Sequence, residues 1–331
     1  MKIIVMGTGP IGGIIGGRLA RAGGDVTFVD VNPEHVRAIR ERGLEVDVPD
    51  GPFKVFAPIL FPDKITGKFD LAFVAVRSFN TSSVLSSLDG HLGQGATLVS
   101  LQNGINPPLL EERVGPDHAI GAVVRMGSRL TGPGRVETKV RGKLYIGHLH
   151  GRTTPQLTSV HTLLNSVIPT EITGNILGIL WSKLTYTCLG TLGALTDVSF
   201  KTIWQSERNR RLAVAFMAEI VGVGVAGGVR FESLTEYNPA DFHPRRPYEA
   251  RFSTFTEVAL SWKNDEPSGI ALALKRGAKT EVDYTVGHVL REGERTGIRT
   301  PICQALVRLV HEIESGRRPL QLENYEELPL D

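Results

Sequence analysis

The sequence predicts an α/β protein whose N-terminal part is a doubly wound sheet and whose C-terminal part is mostly helical. Three observations carry that prediction. Short β-branched runs alternate with helical periods over the first half, the pattern of βαβ units around a parallel sheet. A glycine-rich turn, Gly7-Thr8-Gly9-Pro10-Ile11-Gly12, falls at the joint between the first such run and the first helical period. After about Thr173 the glycine-punctuated strands give way to long helical periods. At 331 residues the chain is long enough for about two domains of ~150 residues, each with its own core. The change of pattern divides it into residues 1–172 and 173–331.

Taken in order, Lys2–Met6 reads as a strand, Ile11–Ala22 as a helix, Val26–Val29 as a second strand and Pro33–Arg42 as a second helix. Leu71–Val76 (strand), Thr81–Leu88 (helix), Thr97–Leu101 (strand) and Ala119–Val124 (strand) follow. The stretch from Gly127 to Gly147 places turn signals such as Gly132-Pro133-Gly134 between alternating segments and reads as an antiparallel extension of the sheet. Helical periods then run over 175–196, 207–228, 249–263, 268–296 and 302–315. Between them Val229–Pro247, with Pro239, Pro244, Pro247 and the run His243-Pro244-Arg245-Arg246, reads as a loop. The last dozen residues, acidic and unpatterned, read as a surface tail.

Composition narrows the function classes. Lys+Arg at 37 against Asp+Glu at 35 give a formal charge of only +2, without the basic footprint that nucleic-acid binding needs, so no nucleic-acid partner is predicted. Hydrophobic residues at 41% and charged ones at 22% are ordinary for a soluble globular protein. Cys188 and Cys303 lie too far apart for a disulfide framework or a CxxC metal knuckle, which points to a reducing, cytoplasmic setting. The opening MKIIVMGTGPIGG is a poor signal peptide, because glycines interrupt its apolar run. Asn175–Thr196 is the most membrane-like stretch, yet Lys183 sits near its middle, at a cost of about 2.5–3.5 kcal/mol for insertion. It reads as a helix buried in protein, and no membrane partner is predicted.

The glycine-rich turn has the context of a dinucleotide fingerprint, which makes the sheet Rossmann-type. Gly7 permits the tight turn, Gly9 lets the backbone approach a pyrophosphate, and Gly12 lets the helix pack closely on the sheet. The phosphates then sit at a helix N-terminus, where unpaired N–H groups and the dipole favour negative charge. Asp30 ends the second strand 18 residues beyond Gly12, close to the spacing of a carboxylate that accepts from the ribose hydroxyls. It would repel a 2′-phosphate, and Val31 and Asn32 offer no cation to offset it, so NAD is expected in preference to NADP. The alternative role for Asp30 is an N-cap for the helix at Pro33, which Asn32 can serve as well.

In the second part, Lys183 is the lone Asp, Glu, Lys, Arg or His across Asn175–Thr196. A lysine on so apolar a helix snorkels to the surface, pairs with a carboxylate, or lines a cavity. Thr187 and Thr191, at i+4 and i+8, share its stripe. Within Thr280-Glu281-Val282-Asp283-Tyr284, placed inside the 268–296 helical period, either Glu281 or Asp283 could be the partner, and periodicity does not choose. His148 and His150 alternate along a strand like a metal pair, but no nearby acid or cysteine completes a site, so they read as surface histidines and no metal is expected.

These features together resemble the ketopantoate reductase (2-dehydropantoate 2-reductase) family over nearly the whole chain. The motifs are GTGPIG at 7–12, Val76-Arg77 with Thr81, Leu101-Gln102-Asn103-Gly104-Ile105, and Trp181-Ser182-Lys183-Leu184 followed about 100 residues later by Thr280-Glu281-Val282-Asp283. The resemblance implies that Lys183 is the general acid for a substrate carbonyl and that Glu281 holds substrate and lysine in place. It implies that Asn103 lies near nicotinamide and substrate, and that Arg77, where the family usually has lysine, helps hold the cofactor. Thr187 and Thr191 stand where ketopantoate-reducing members commonly carry substrate-binding asparagines, and Ser268 approximately matches a substrate-contacting serine. The expected function is NAD-dependent hydride transfer between nicotinamide and a 2-oxo/2-hydroxy acid, in a homodimer. The alternatives are ketopantoate reduction itself in pantothenate synthesis, an opine-type dehydrogenase, and a non-catalytic NAD-binding regulator.

Overall fold

The structure is a computed structural model that describes residues 1–234, 237–263 and 265–330. It forms two compact units, Met1–Ile176 and Leu177–Asp331. The first opens with β1 (Lys2–Met6), α1 (Pro10–Arg21), β2 (Asp25–Val29) and α2 (Pro33–Arg42). Next come β3 (Leu44–Asp47), β4 (Phe53–Val55), β5 (Ile59–Leu60), β6 (Phe69–Val74), α3 (Thr81–Ser87), β7 (Leu92–Ser100), α4 (Pro107–Val114) and β8 (Ala119–Arg125). β9 (Ser128–Gly132), β10 (Arg135–Thr138), β11 (Lys143–Gly147), α5 (Pro155–Asn165) and β12 (Thr170–Ile172) complete it.

Eight strands make the main sheet, in the order β12-β11-β8-β7-β6-β1-β2-β5. Its pairings are parallel except that of β8 with β11. Side chains of β1 alternate between the faces: Ile3 and Val5 join a core with Ile14, Ile15 and Leu19 of α1, while Ile4 and Met6 join a second core with Val84 and Leu85 of α3 and Leu110 of α4. Burial on both faces is why these strands read as continuous apolar runs. From β1 the chain steps to β2 on one side and later to β6 on the other, so the direction of strand order reverses at β1, the place where open α/β sheets bind ligands.

The antiparallel extension expected over Gly127–Gly147 is corrected in part. β11 joins the main sheet, but β9 and β10 form a hairpin in a separate four-stranded sheet, β4-β3-β10-β9. The partners β3 and β4, only four and three residues long, are too short to show a periodic signal.

The second unit holds α6 (Ile176–Thr191, its first residue counted with the first unit), α7 (Phe200–Ile203), α8 (Glu207–Ala226), α9 (Tyr248–Ser261), α10 (Gly269–Lys275), α11 (Val286–Thr296) and α12 (Pro301–Glu314). Leu212, Phe216, Met217, Ile220 and Val223 of α8 are buried, and α9, α11 and α12 pack against this helix. The long 268–296 helix is corrected: α10 ends before Gly277, whose φ of +73° suits glycine. A 3₁₀ turn at Val282–Tyr284 then leads into α11. The acidic tail is corrected as well. It folds into a 3₁₀ segment, Leu322–Glu327, in which Asn324 Nδ2 donates to the Leu195 carbonyl and the Tyr325 hydroxyl to the Leu192 carbonyl, both residues being buried. These bonds satisfy the carbonyls of the 3₁₀ turn Leu192–Leu195 that ends α6. Among the described residues no helix is long and apolar enough to cross a membrane.

Candidate active site

Register brings the first unit's candidates together. Met6 pairs with Val29 and with Val74, and Val74 with Ser100, so the carboxyl ends of β2, β1, β6 and β7 finish level. Gly7, Asp30, Arg77 and Asn103 therefore emerge at one edge of the sheet.

The turn Gly7–Gly12 has the shape that a bound pyrophosphate requires. A Cβ on Gly12 would stand 2.0 Å from the Gly7 carbonyl oxygen, and one on Gly7, at φ +95°, would stand 2.9 Å from Val76 Cγ1. A Cβ on Gly9 would meet no atom within 4 Å. Packing thus demands glycine at 7 and 12, whereas open space in front of Gly9 is what a ligand pressing on the backbone needs. The first main-chain bond of α1 runs from Gly13 N–H to the Gly9 carbonyl, and Pro10 at the first helical position has no N–H to give. Ile11 and Gly12 therefore lack intrahelical acceptors, as an anion site at a helix N-terminus requires. The residues fit a dinucleotide.

Asp30 is not the helix cap. Asn32 caps α2, its side chain accepting from Glu34 and His35 N–H. Asp30 Oδ2 instead accepts from Thr8 N–H at 2.9 Å and Oδ1 from Asn32 N–H at 2.9 Å. Each oxygen keeps a lone pair for a further donor. Thr8 is buried, its hydroxyl on the Val29 carbonyl and its own carbonyl 2.9 Å from His35 Nε2.

Asn103 rests on a buried polar network. Its carbonyl accepts from Ser78 Oγ (2.9 Å) and Asn106 Nδ2 (2.7 Å), and Gln102 Nε2 donates to the Val76 carbonyl and Thr81 Oγ1. Ser78, Gln102 and Asn106 hold the loops after β6 and β7 against each other. Sequence reading passed over Ser78 and Asn106, and no spacing marks them. Arg77, between β6 and Ser78, is exposed.

In the second unit Lys183 is half-buried on α6 among Trp181, Leu184 and other apolar neighbours. Burial pulls its ammonium down from 10.5 to about 8, and the Glu281 carboxylate pushes the other way. Of the two acids left open by periodicity, Glu281 is the one that acts on Lys183; Asp283 pairs with His311 at 2.9 Å. Thr187 and Thr191 donate to the Lys183 and Thr187 carbonyls of their own helix, so each hydroxyl proton is spent inside α6, and Thr191 is buried. Ser268 caps α10 through Ala271 N–H, so its hydroxyl has a structural task.

The expectation of two surface histidines fails for His148. It is fully buried, Nδ1–H on the Ala119 carbonyl at 2.8 Å and Nε2 accepting from Thr154 Oγ1, and burial lowers its pKa. Both ring nitrogens are thereby spent. No cluster of three or more potential metal ligands occurs among the described residues.

Sheet and site together define an α/β protein built on a Rossmann-type sheet and a helical unit that carries a half-buried lysine. Residues 3–151 match the family described as ketopantoate reductase PanE/ApbA, and residues 175–314 match its C-terminal region. The chain belongs to the ketopantoate reductase family, oxidoreductases that act on CH–OH groups. A 2-dehydropantoate 2-reductase of Halobacterium salinarum is 30% identical over 94% of this chain and 98% of its own length, and one of Pyrococcus abyssi 29% over 91% and 94%. The ketopantoate reductase structure from Ralstonia eutropha superposes with a TM-score of 0.81 at 27% identity, covering 96% of this chain and 99% of that one. D-mandelate dehydrogenase, solved with NADH and anilino(oxo)acetate, has a TM-score of 0.78 at 20% identity and the same coverage, a likeness of fold.

Proposed function

We propose that the chain interconverts a 2-oxo acid and its 2-hydroxy acid with NAD(H), residues 1–172 binding the dinucleotide and 173–331 the substrate. The observation that carries this reading is the state of Lys183, brought by burial to about 8 with Glu281 opposing. An ammonium in that range is mostly protonated at neutral pH yet gives up its proton readily, as a general acid must. In reduction Lys183 Nζ stabilises the developing alkoxide and donates its proton to that oxygen; in oxidation the neutral amine takes the hydroxyl proton. Glu281 keeps the charged form populated and holds the lysine in place. The dinucleotide, when bound, supplies the hydride at C4 of its nicotinamide.

The Gly7–Gly12 turn, with Thr8, Pro10 and Ile11, holds the pyrophosphate, Asp30 accepts from the ribose hydroxyls, and Arg77 and Asn103 hold the cofactor's nicotinamide end. Asn103, Thr187, Thr191 and Ser268 contact the substrate. The free lone pairs of Asp30 support NAD over NADP, since a 2′-phosphate there would meet a carboxylate. The absence of the family asparagines at 187 and 191 supports a substrate other than ketopantoate. A second reading, ketopantoate reduction in pantothenate synthesis, is favoured by the near-full-length match to 2-dehydropantoate 2-reductases. We further propose a cytoplasmic homodimer, in keeping with the dimeric ketopantoate reductase of Staphylococcus aureus, which shares the fold.

The test is a screen of branched and sugar-derived 2-oxo and 2-hydroxy acids, ketopantoate and pantoate included, with both dinucleotides in both directions. NADH tighter than NADPH, and turnover lost by orders of magnitude in Lys183→Ala with dinucleotide binding kept, are the expected results. Unaltered turnover in Lys183→Ala removes the lysine from the mechanism, and tighter NADPH binding refutes the role given to Asp30.

A further inference from the structure

The nucleotide turn is braced by a group that no motif includes. His35, on the first turn of α2, is 2% exposed. Its Nδ1 lies 2.9 Å from the backbone N of Gly134 and its Nε2 2.9 Å from the Thr8 carbonyl oxygen. A main-chain N–H can only donate, so Nδ1 is the acceptor; the ring proton sits on Nε2 and is donated to Thr8. Gly134 is the turn between β9 and β10, at φ +75°, and its carbonyl accepts from Glu45 N–H at the start of β3. The second sheet, through its hairpin, thus reaches the residue in the middle of the glycine turn.

Thr8 is consequently held at three atoms: N–H by Asp30, hydroxyl by the Val29 carbonyl, carbonyl by His35. The carbonyl matters most. It precedes the helix, so no helical N–H claims it, and a carbonyl oxygen turned toward the pyrophosphate would repel it. Bound to His35 inside the unit, it leaves the N–H groups of the first turn of α1 as the groups that face an anion. We propose that His35 is a positioning residue for dinucleotide binding, fixing the Thr8 peptide so that the turn presents donors and no acceptor. This rests on the reading that the Gly7–Gly12 turn binds the dinucleotide.

Glutamine can repeat both bonds, its amide oxygen accepting from Gly134 and its NH₂ donating to Thr8. Methionine fills similar space with neither bond. Dissociation constants for NADH and NADPH are measured by fluorescence titration on wild type, His35→Gln and His35→Met, together with kcat and both KM values on an active 2-oxo acid. His35→Met is expected to raise the dinucleotide dissociation constant and KM by about tenfold, the effect of one buried hydrogen bond beside a charged ligand, with kcat and the oxo-acid KM little changed. His35→Gln is expected to restore binding to within about threefold of wild type. If His35→Met does not fold, His35→Glu replaces it, having the shape of glutamine without an N–H for Thr8 when ionised. Wild-type affinity in the methionine or glutamate variant overturns the proposal, as does a glutamine variant that binds as poorly as they do. A wild-type chain that binds neither dinucleotide overturns the underlying reading and the proposal with it.

Discussion

Replacing Lys183 by methionine should stabilise the protein while abolishing its turnover. The move from 10.5 to about 8 in the ammonium's pKa, at about 1.4 kcal/mol per pH unit, means that the fold holds this charge at a cost of about 3 kcal/mol. Glu281 loses its attraction in the variant, but that attraction is the smaller of the two causes and is already included in the net value, so the sign stands. The pH dependence follows from linkage. An unfolded lysine keeps its proton to about 10.5 and the folded one to about 8, so between these values the unfolded chain binds more protons and wild-type stability rises with pH. Below about 8 the whole cost is present, and above about 10.5 it is gone. Lys183→Met should therefore gain about 3 kcal/mol at pH 7, or roughly 6–12 °C in the melting temperature of a unit of this size. Most of the gain should vanish at pH 10. Urea unfolding of both proteins at pH 7 and pH 10, beside turnover with the active oxo acid, measures this directly. A variant no more stable than wild type at pH 7, or a gain equal at both pH values, would refute the reasoning.

The glycine turn separates packing from binding: Gly9→Ala, whose Cβ meets nothing, should change unfolding free energy by less than about 1 kcal/mol yet weaken dinucleotide affinity in titration. Gly12→Ala should cost about 3 kcal/mol or more by calorimetry, because its Cβ collides with the Gly7 carbonyl. Glu219 on α8 accepts the N–H groups of Ile302 and Cys303 at the start of α12, and Glu219→Gln, with one acceptor oxygen, should lose about 1–2 kcal/mol. Burial raises the Glu219 pKa above 4.5, so its contribution is complete below 4.5 and declines as pH rises through the raised value; chemical denaturation at pH 4 and pH 7 should show a slope that the glutamine variant lacks. The double change Thr187→Asn/Thr191→Asn should raise kcat/KM for ketopantoate by at least about tenfold, since amides supply donor and acceptor where the threonines bond their own helix; unchanged specificity would show that this stripe does not face substrate.

Elements of five residues or more that are buried over most of their length were readable because burial forces apolar residues along them; β1, α1, β6, β8 and α8 are of this kind. β3, β4 and β5 were not, since two to four residues cannot show a period, and what stabilises them is pairing of β3 with β10, of β4 with β3 and of β5 with β2. The break between α10 and α11 is not legible in the sequence, because Leu272, Ala273 and Val282 continue a helical count across Gly277, whose backbone prefers a turn. The C-terminal segment reads as polar, but Asn324 and Tyr325 are buried on carbonyls more than a hundred residues away in the chain.

What the amino-acid order determined unaided is whatever depends on local spacing: the glycine turn at the end of β1, Asp30 at the end of β2, and a solitary lysine in an apolar helix. Which of Glu281 and Asp283 answers Lys183, whether Asp30 caps a helix or grips Thr8, and that His35 and His148 are buried hydrogen-bonding groups were settled by tertiary structure. Those outcomes turn on which distant backbone N–H and C=O groups arrive beside a side chain. Periodicity carries no trace of them, because most buried polar atoms take a partner and the fold alone chooses which.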